Sequence, residues 1–112
     1  MAYPRRLRFE AIREVAFGAI GAAYGAVGAA VATPARIITF NNTTDVDLYV
    51  STDGVTDMLR IVSGSGKIFD VTTNKVRDDG FFLPENTIIY VRQTAMGAPA
   101  SGVFFVEIAF GG

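Results

Sequence analysis

The chain has 112 residues, 50% hydrophobic and 19% charged, with ten Lys+Arg against eleven Asp+Glu and a formal net charge of -1. That length holds one domain, the apolar content excludes global disorder, and the balanced charge offers no basic face to a nucleic-acid backbone. With no Cys and no His, the chain has no thiolate nucleophile, no imidazole base, no Ser-His-Asp triad and none of the usual zinc ligands, which points to a surface rather than an enzyme.

Residues 1–14 carry Arg5, Arg6, Arg8 and Arg13 against Glu10 and Glu14, and no charge follows from Val15 to Ala35. An uncharged run of about twenty residues is long enough to span a bilayer. Gly21 and Gly25 have the spacing that lets membrane helices approach closely, and Ala30-Val31-Ala32 imitates a signal-peptidase site. Against both readings, the run is mostly Ala and Gly, lacks Leu, and follows a segment already diluted by two glutamates. Glycine at this frequency costs a helix about 1 kcal/mol per residue relative to Ala. The run therefore reads as two extended segments, around Glu14–Ile20 and Ala23–Val27, preceded over Leu7–Val15 by either a short helix or an opening strand.

From Thr33-Pro34 onward, short β-branched and aromatic runs alternate with turn residues. Strands are expected at Arg36–Phe40, Asp47–Ser51, Met58–Val62, Lys67–Thr72, Phe81–Leu83, Thr87–Gln93 and Val103–Phe110. They are punctuated by Asn41-Asn42-Thr43-Thr44, Thr52-Asp53-Gly54, Ser63-Gly64-Ser65-Gly66 and Asp78-Asp79-Gly80. This spacing predicts an all-β fold, a β-sandwich or a small barrel, of which a single β-sandwich of Ig-like or jelly-roll-like type is the leading expectation. The extended Gly/Ala-rich segment at residues 1–32 would reach neighbouring subunits, and the sandwich itself would occupy residues 33–112.

The last strand is apolar on both faces. Phe104, Val106, Ile108 and Phe110 alternate with Val103, Phe105, Glu107 and Ala109, so one Glu interrupts eight apolar positions. A solvent-facing strand would be polar at every second residue. Phe81-Phe82-Leu83 and Ile88-Ile89 show the same surplus. Either such positions are internal core, covered on both faces within the domain, or they meet another subunit, which makes Phe81, Phe82, Phe105 and Glu107 candidates for that contact. Arg92, in the preceding strand, is the natural cross-strand mate of Glu107.

No constellation carries catalysis. Gly64-Ser65-Gly66-Lys67 resembles the end of a phosphate-binding loop, but Ile61 stands where the first Gly belongs, Ile68 where Ser or Thr belongs, and a strand follows instead of a helix. Asp45, Asp47, Asp53 and Asp57 lack calcium-loop spacing and read as solvated loop edges. No metal, cofactor or small-molecule substrate is expected. Arg5, Arg6, Arg8 and Arg13 suit forked ion pairs to carboxylates of a neighbouring protein, with Phe9, Phe17 and Tyr24 as anchors along the same segment.

The strings Arg13-Glu14-Val15-Ala16-Phe17-Gly18, Tyr24-Gly25-Ala26-Val27-Gly28, Pro34-Ala35-Arg36 with Asn41-Asn42-Thr43, Ser51-Thr52-Asp53-Gly54, Asp70-Val71-Thr72-Thr73-Asn74, Phe82-Leu83-Pro84, Thr87 to Gln93 and Ser101-Gly102-Val103 resemble a group of small tailed-bacteriophage structural proteins. The resemblance spans nearly the whole chain. It implies a non-enzymatic virion component, assembled in the bacterial host cytoplasm in many symmetric copies. Its partners would be itself and other virion proteins: portal, connector or major capsid protein. A collar or connector at the head–tail neck is the leading expectation, capsid decoration the alternative, and a membrane-associated Gly-zipper protein the reading that weighs least.

Overall fold

A computed structural model describes residues 7–32, 35–70, 84 and 86–111. Its strands are β1 (Leu7–Phe9), β2 (Arg13–Ala16), β3 (Gly25–Ala26), β4 (Ala35–Asn42), β5 (Leu48–Ser51), β6 (Leu59–Ile61), β7 (Ser65–Asp70), β8 (Tyr90–Gln93) and β9 (Val103–Gly111), with a 3₁₀ turn at Phe17–Ala19. They form two antiparallel sheets: one ordered β1-β9-β4-β7 with β2 also on β9, the other ordered β3-β8-β5-β6. The predicted single β-sandwich is the fold. No helix among the described residues is long and apolar enough to cross a membrane.

Alternation explains how the sheets face each other. Ile38 and Phe40 of β4 and Phe104, Val106 and Ile108 of β9 turn to one side and are buried there, opposed from the second sheet by Leu48, Val50, Ile61, Ile89 and Val91. Phe40 stacks on Phe104 with centroids 6.3 Å apart and takes the edge of Phe69 at 5.9 Å, geometries the aromatic quadrupole favours.

The Gly/Ala-rich stretch forms part of this sandwich. β1 and β2 lie end to end along β9, in registers Phe9↔Ala109 and Arg13↔Val106. Between them Glu10–Ile12 faces only Glu107 and Ile108, so one extra residue makes a bulge. The chain then crosses to the second sheet, where β3 pairs with β8 and the ladder is prolonged by Val27 N–H to Ile89 O (2.7 Å) and Val31 N–H to Thr87 O (2.9 Å). Ile20, Val27 and Val31 are core residues. Residues 7–32 therefore supply strands of both sheets and part of the core, and the first six residues of the expected reaching segment lie outside the described residues. The extended segment expected at Glu14–Ile20 is broken by the 3₁₀ turn, and Leu7–Val15 takes its strand alternative. The strand expected at Phe81–Leu83 lies outside the described residues.

Two close approaches hold the end of the sandwich. Asn42, fully buried, donates through Nδ2 to Val46 O and Ile61 O, both at 2.9 Å, and accepts the Thr44 N–H at Oδ1 at 2.9 Å. The Thr44 hydroxyl lies 2.6 Å from the same Oδ1 and 2.9 Å from Val46 O. One side chain thus ties β4 of the first sheet to β6 of the second. At Gly102, φ is +93°, and the Thr43 backbone passes so close that a Cβ would lie 2.6 Å from Thr44 Cα and collide with Thr43 O.

Candidate functional site

The outward face of the first sheet follows from the registers. Thr39 lies between Ile68 and Glu107, Ile37 beside Ala109, Asn41 beside Phe105, and Phe9 beside Ala109 on the far edge. Phe9 and Ile68 leave 73% and 72% of their surface in solvent at opposite edges of this face, with Ile37 and Phe105 half-buried between them. Glu107 is exposed there. It has no bond to Arg92: the two stand on different sheets, so the expected cross-strand pair is corrected.

Arg92 belongs to a cluster on the outward side of the second sheet. Tyr49 is its ladder partner on β5, and the guanidinium carbon sits 4.8 Å from the Tyr49 ring centre and 5.3 Å from that of Tyr24. Arg92 grips Asp57 with both arms, Nε to Oδ1 at 3.0 Å and Nη2 to Oδ2 at 2.6 Å, and the Tyr24 hydroxyl donates to Asp57 Oδ1. Arg92, with the Tyr24 donor behind it, holds the Asp57 carboxyl below its ordinary range. Burial, followed by the bond to Asp57, pushes the Tyr24 phenol up to about 12.

The neutral phenol is the form that fits this cluster. Its contribution is complete below the unfolded value near 10 and is lost as pH rises from there toward 12. Alkaline absorbance titration should therefore show one tyrosine ionising near pH 12, a step that Tyr24→Phe removes.

The remaining predicted residues separate. Arg5, Arg6, Phe81 and Phe82 lie outside the described residues. Arg8 is exposed on β1, and Phe17 sits in the 3₁₀ turn, 41% exposed. Arg13 turns inward: its Nη2 meets Glu10 Oε1 at 2.6 Å, with the two side chains only 11% and 14% exposed. Glu10 Oε2 and Arg13 Nε have no hydrogen-bond partner. A buried pair left partly unsatisfied recovers little of its desolvation cost, so this contact anchors the edge weakly.

The four aspartates are engaged separately. Asp45 accepts Ala100 N–H at 2.8 Å, and Asp47 takes the Arg60 guanidinium at 2.7 Å and the Ser63 N–H at 2.9 Å. Asp53 accepts from the Ser51 hydroxyl and from the N–H groups of Val55 and Thr56. Asp45, Asp53 and Asp57 are exposed, as the sequence suggested, and these bonds also fasten their loops to strands and to one another. Sequence reasoning also missed the Arg92 cluster and the Asn42 hub. Asn41-Asn42-Thr43-Thr44 signalled a turn, but nothing local showed that one amide would be buried. Among the described residues no group of three or more acidic side chains converges as a metal site. No protein-family model, curated protein or solved structure matches this chain.

Proposed function

We propose that this chain is a non-enzymatic structural subunit of a tailed-phage particle, assembling in several symmetric copies at the head–tail neck. The observation that carries the reading is the outward face of the first sheet. It carries Phe9, Ile37, Ile68 and Phe105 among Glu14, Thr39, Asn41 and Glu107, with Ala109 buried between them, and its two most exposed apolar side chains stand at opposite edges. A monomeric sandwich keeps its outer face polar at alternate positions. Two separated apolar edges suit a subunit that meets a neighbour on each side. The phage setting is supported by the motifs from Arg13-Glu14-Val15 to Ser101-Gly102-Val103.

Light scattering of the purified chain should show a multimer. Phe9→Ser combined with Ile68→Ser should reduce its mass while shifting folding stability by only about 0.5 kcal/mol per exposed site. A wild-type chain that stays monomeric at high concentration overturns the assembly reading. Labelled protein on intact particles should give a signal at one vertex; an even signal over the head would replace the neck with shell decoration.

A further inference from the structure

We infer that residues 7–16 exchange between copies, so that β1 and β2 of one chain pair with β9 of a second copy in place of their own β9. The inference rests on the assembly reading and names a second copy of this chain as the partner.

The segment is loosely seated. Its ladder on β9 is interrupted by the bulge at Glu10–Ile12, and Val15 is its described contact with the core. Glu10 and Arg13 occupy inward positions with Oε2 and Nε unpartnered. Undocking returns both charges to water, which lowers the barrier to leaving.

The surface that receives it belongs to the rest of the domain and is specific. β9 supplies the ladder, and Gly28 leaves room for Arg13: a Cβ at Gly28 would lie 3.2 Å from Arg13 Cγ and 3.3 Å from Cδ. An emptied β9 edge is an open template for another strand. Only a segment bringing the same bulge and the same Arg at the same offset reproduces the fit. A second copy brings both, and exchange preserves every backbone bond of the ladder.

The connection permits it. The turn at Phe17–Ala19 is closed by one bond, Ile20 N–H to Phe17 O at 3.2 Å, and Ala16 and Ile20 on either side are already extended. Gly18 and Gly21 stand in open space. Straightening the three turn residues, from a rise of about 2.0 Å each to about 3.3 Å, lengthens the chain by about 4 Å and leaves Ile20 and everything beyond it in place.

The absence of cysteine makes the exchange directly testable. Glu14 and Phe105 face each other across β2 and β9. Because Phe17 N–H bonds Gly102 O, alternation along the ladder makes 14 and 105 a non-hydrogen-bonded pair, whose close Cα atoms suit a disulfide. Glu14→Cys on one tagged chain and Phe105→Cys on a differently tagged chain should be co-expressed, oxidised, and read by non-reducing electrophoresis beside light scattering, with circular dichroism to confirm folding. Ala16→Cys with Val103→Cys, opposed in the same way, serves if Phe105→Cys misfolds.

The expected result is a covalent heterodimer well above the background of either variant alone. A multimer that yields no heterodimer overturns strand exchange and leaves the assembly reading standing. A folded monomer overturns both.

Discussion

Replacing Asn42 with Ala should lower the stability of the sandwich by about 3–5 kcal/mol, because it strips partners from several buried polar groups at once. Val46 O and Ile61 O lose a shared donor, and the Thr44 N–H and hydroxyl lose a shared acceptor. Ile61 belongs to the second sheet and Asn42 to the first, so the loss falls on the contact between sheets and on the turn that leads from one to the other. Denaturant unfolding with an unchanged slope would check the figure; a loss under about 1 kcal/mol would mean that this end of the sandwich does not depend on the amide. Asn42→Asp provides a second check. Its carboxylate would face two carbonyl oxygens in a buried site, which raises the folded pKa above the unfolded one. Stability should then decline as pH rises through the range between those values, the opposite trend to that of a carboxylate stabilised by donors.

Gly102→Ala should cost about 3 kcal/mol or more, through close approach and through backbone conformation. The added methyl group would overlap the Thr43 carbonyl, and φ of +93° is one that L side chains rarely adopt. Relief requires moving the backbone where Thr43 and Val103 bond, N–H to O at 3.0 Å, with the Thr43 hydroxyl accepting Val103 N–H at 2.9 Å. That junction sets the start of β9, the strand on which β1, β2 and β4 all pair. A thermal midpoint close to the wild-type value would show that the junction can shift without loss. A large drop would also predict faster exchange of the β9 amides with solvent, since the ladder would be loosened at its first pair.

Strand exchange and the apolar outer face bear on the same event from different sides. If β1 and β2 change chains, Phe9 travels with them and Ile68 stays behind on β7, so the two exposed edges come to belong to different polypeptides in one assembled unit. The Phe9→Ser and Ile68→Ser substitutions test the face. The single-cysteine pair tests the strand.

Much of the sandwich was legible in the sequence, because strand alternation and turn chemistry are local. Asp53-Gly54 closes β5 where expected, whereas in the Ser/Gly run at residues 63–66 only Ser63 and Gly64 turn, and Ser65 and Gly66 already pair with Asn42 and Asn41 as the start of β7. Val103–Phe110 proved to be the central β9, and Arg36–Phe40 proved to be the middle of β4. Its inner faces, Phe104 with Val106 and Ile108, and Leu48 with Val50, followed from period two alone. The side-chain pairings were not legible. Chain proximity matches Arg92 with Glu107, yet Arg92 grips Asp57 and lies against Tyr24 and Tyr49, because the sheet that receives each strand is set by long-range packing that no local window contains. The pairing of residues 7–26 with β9 and β8 is hidden for the same reason: glycine signals weak helix propensity but does not say which strand will lie alongside. The sequence by itself determined an all-β chain rich in apolar strands and without thiol or imidazole chemistry. Only the tertiary structure decided that Arg13 faces inward, that Asn42 joins the sheets and that residues 7–32 edge both of them, since each depends on which distant backbone stands within hydrogen-bonding reach.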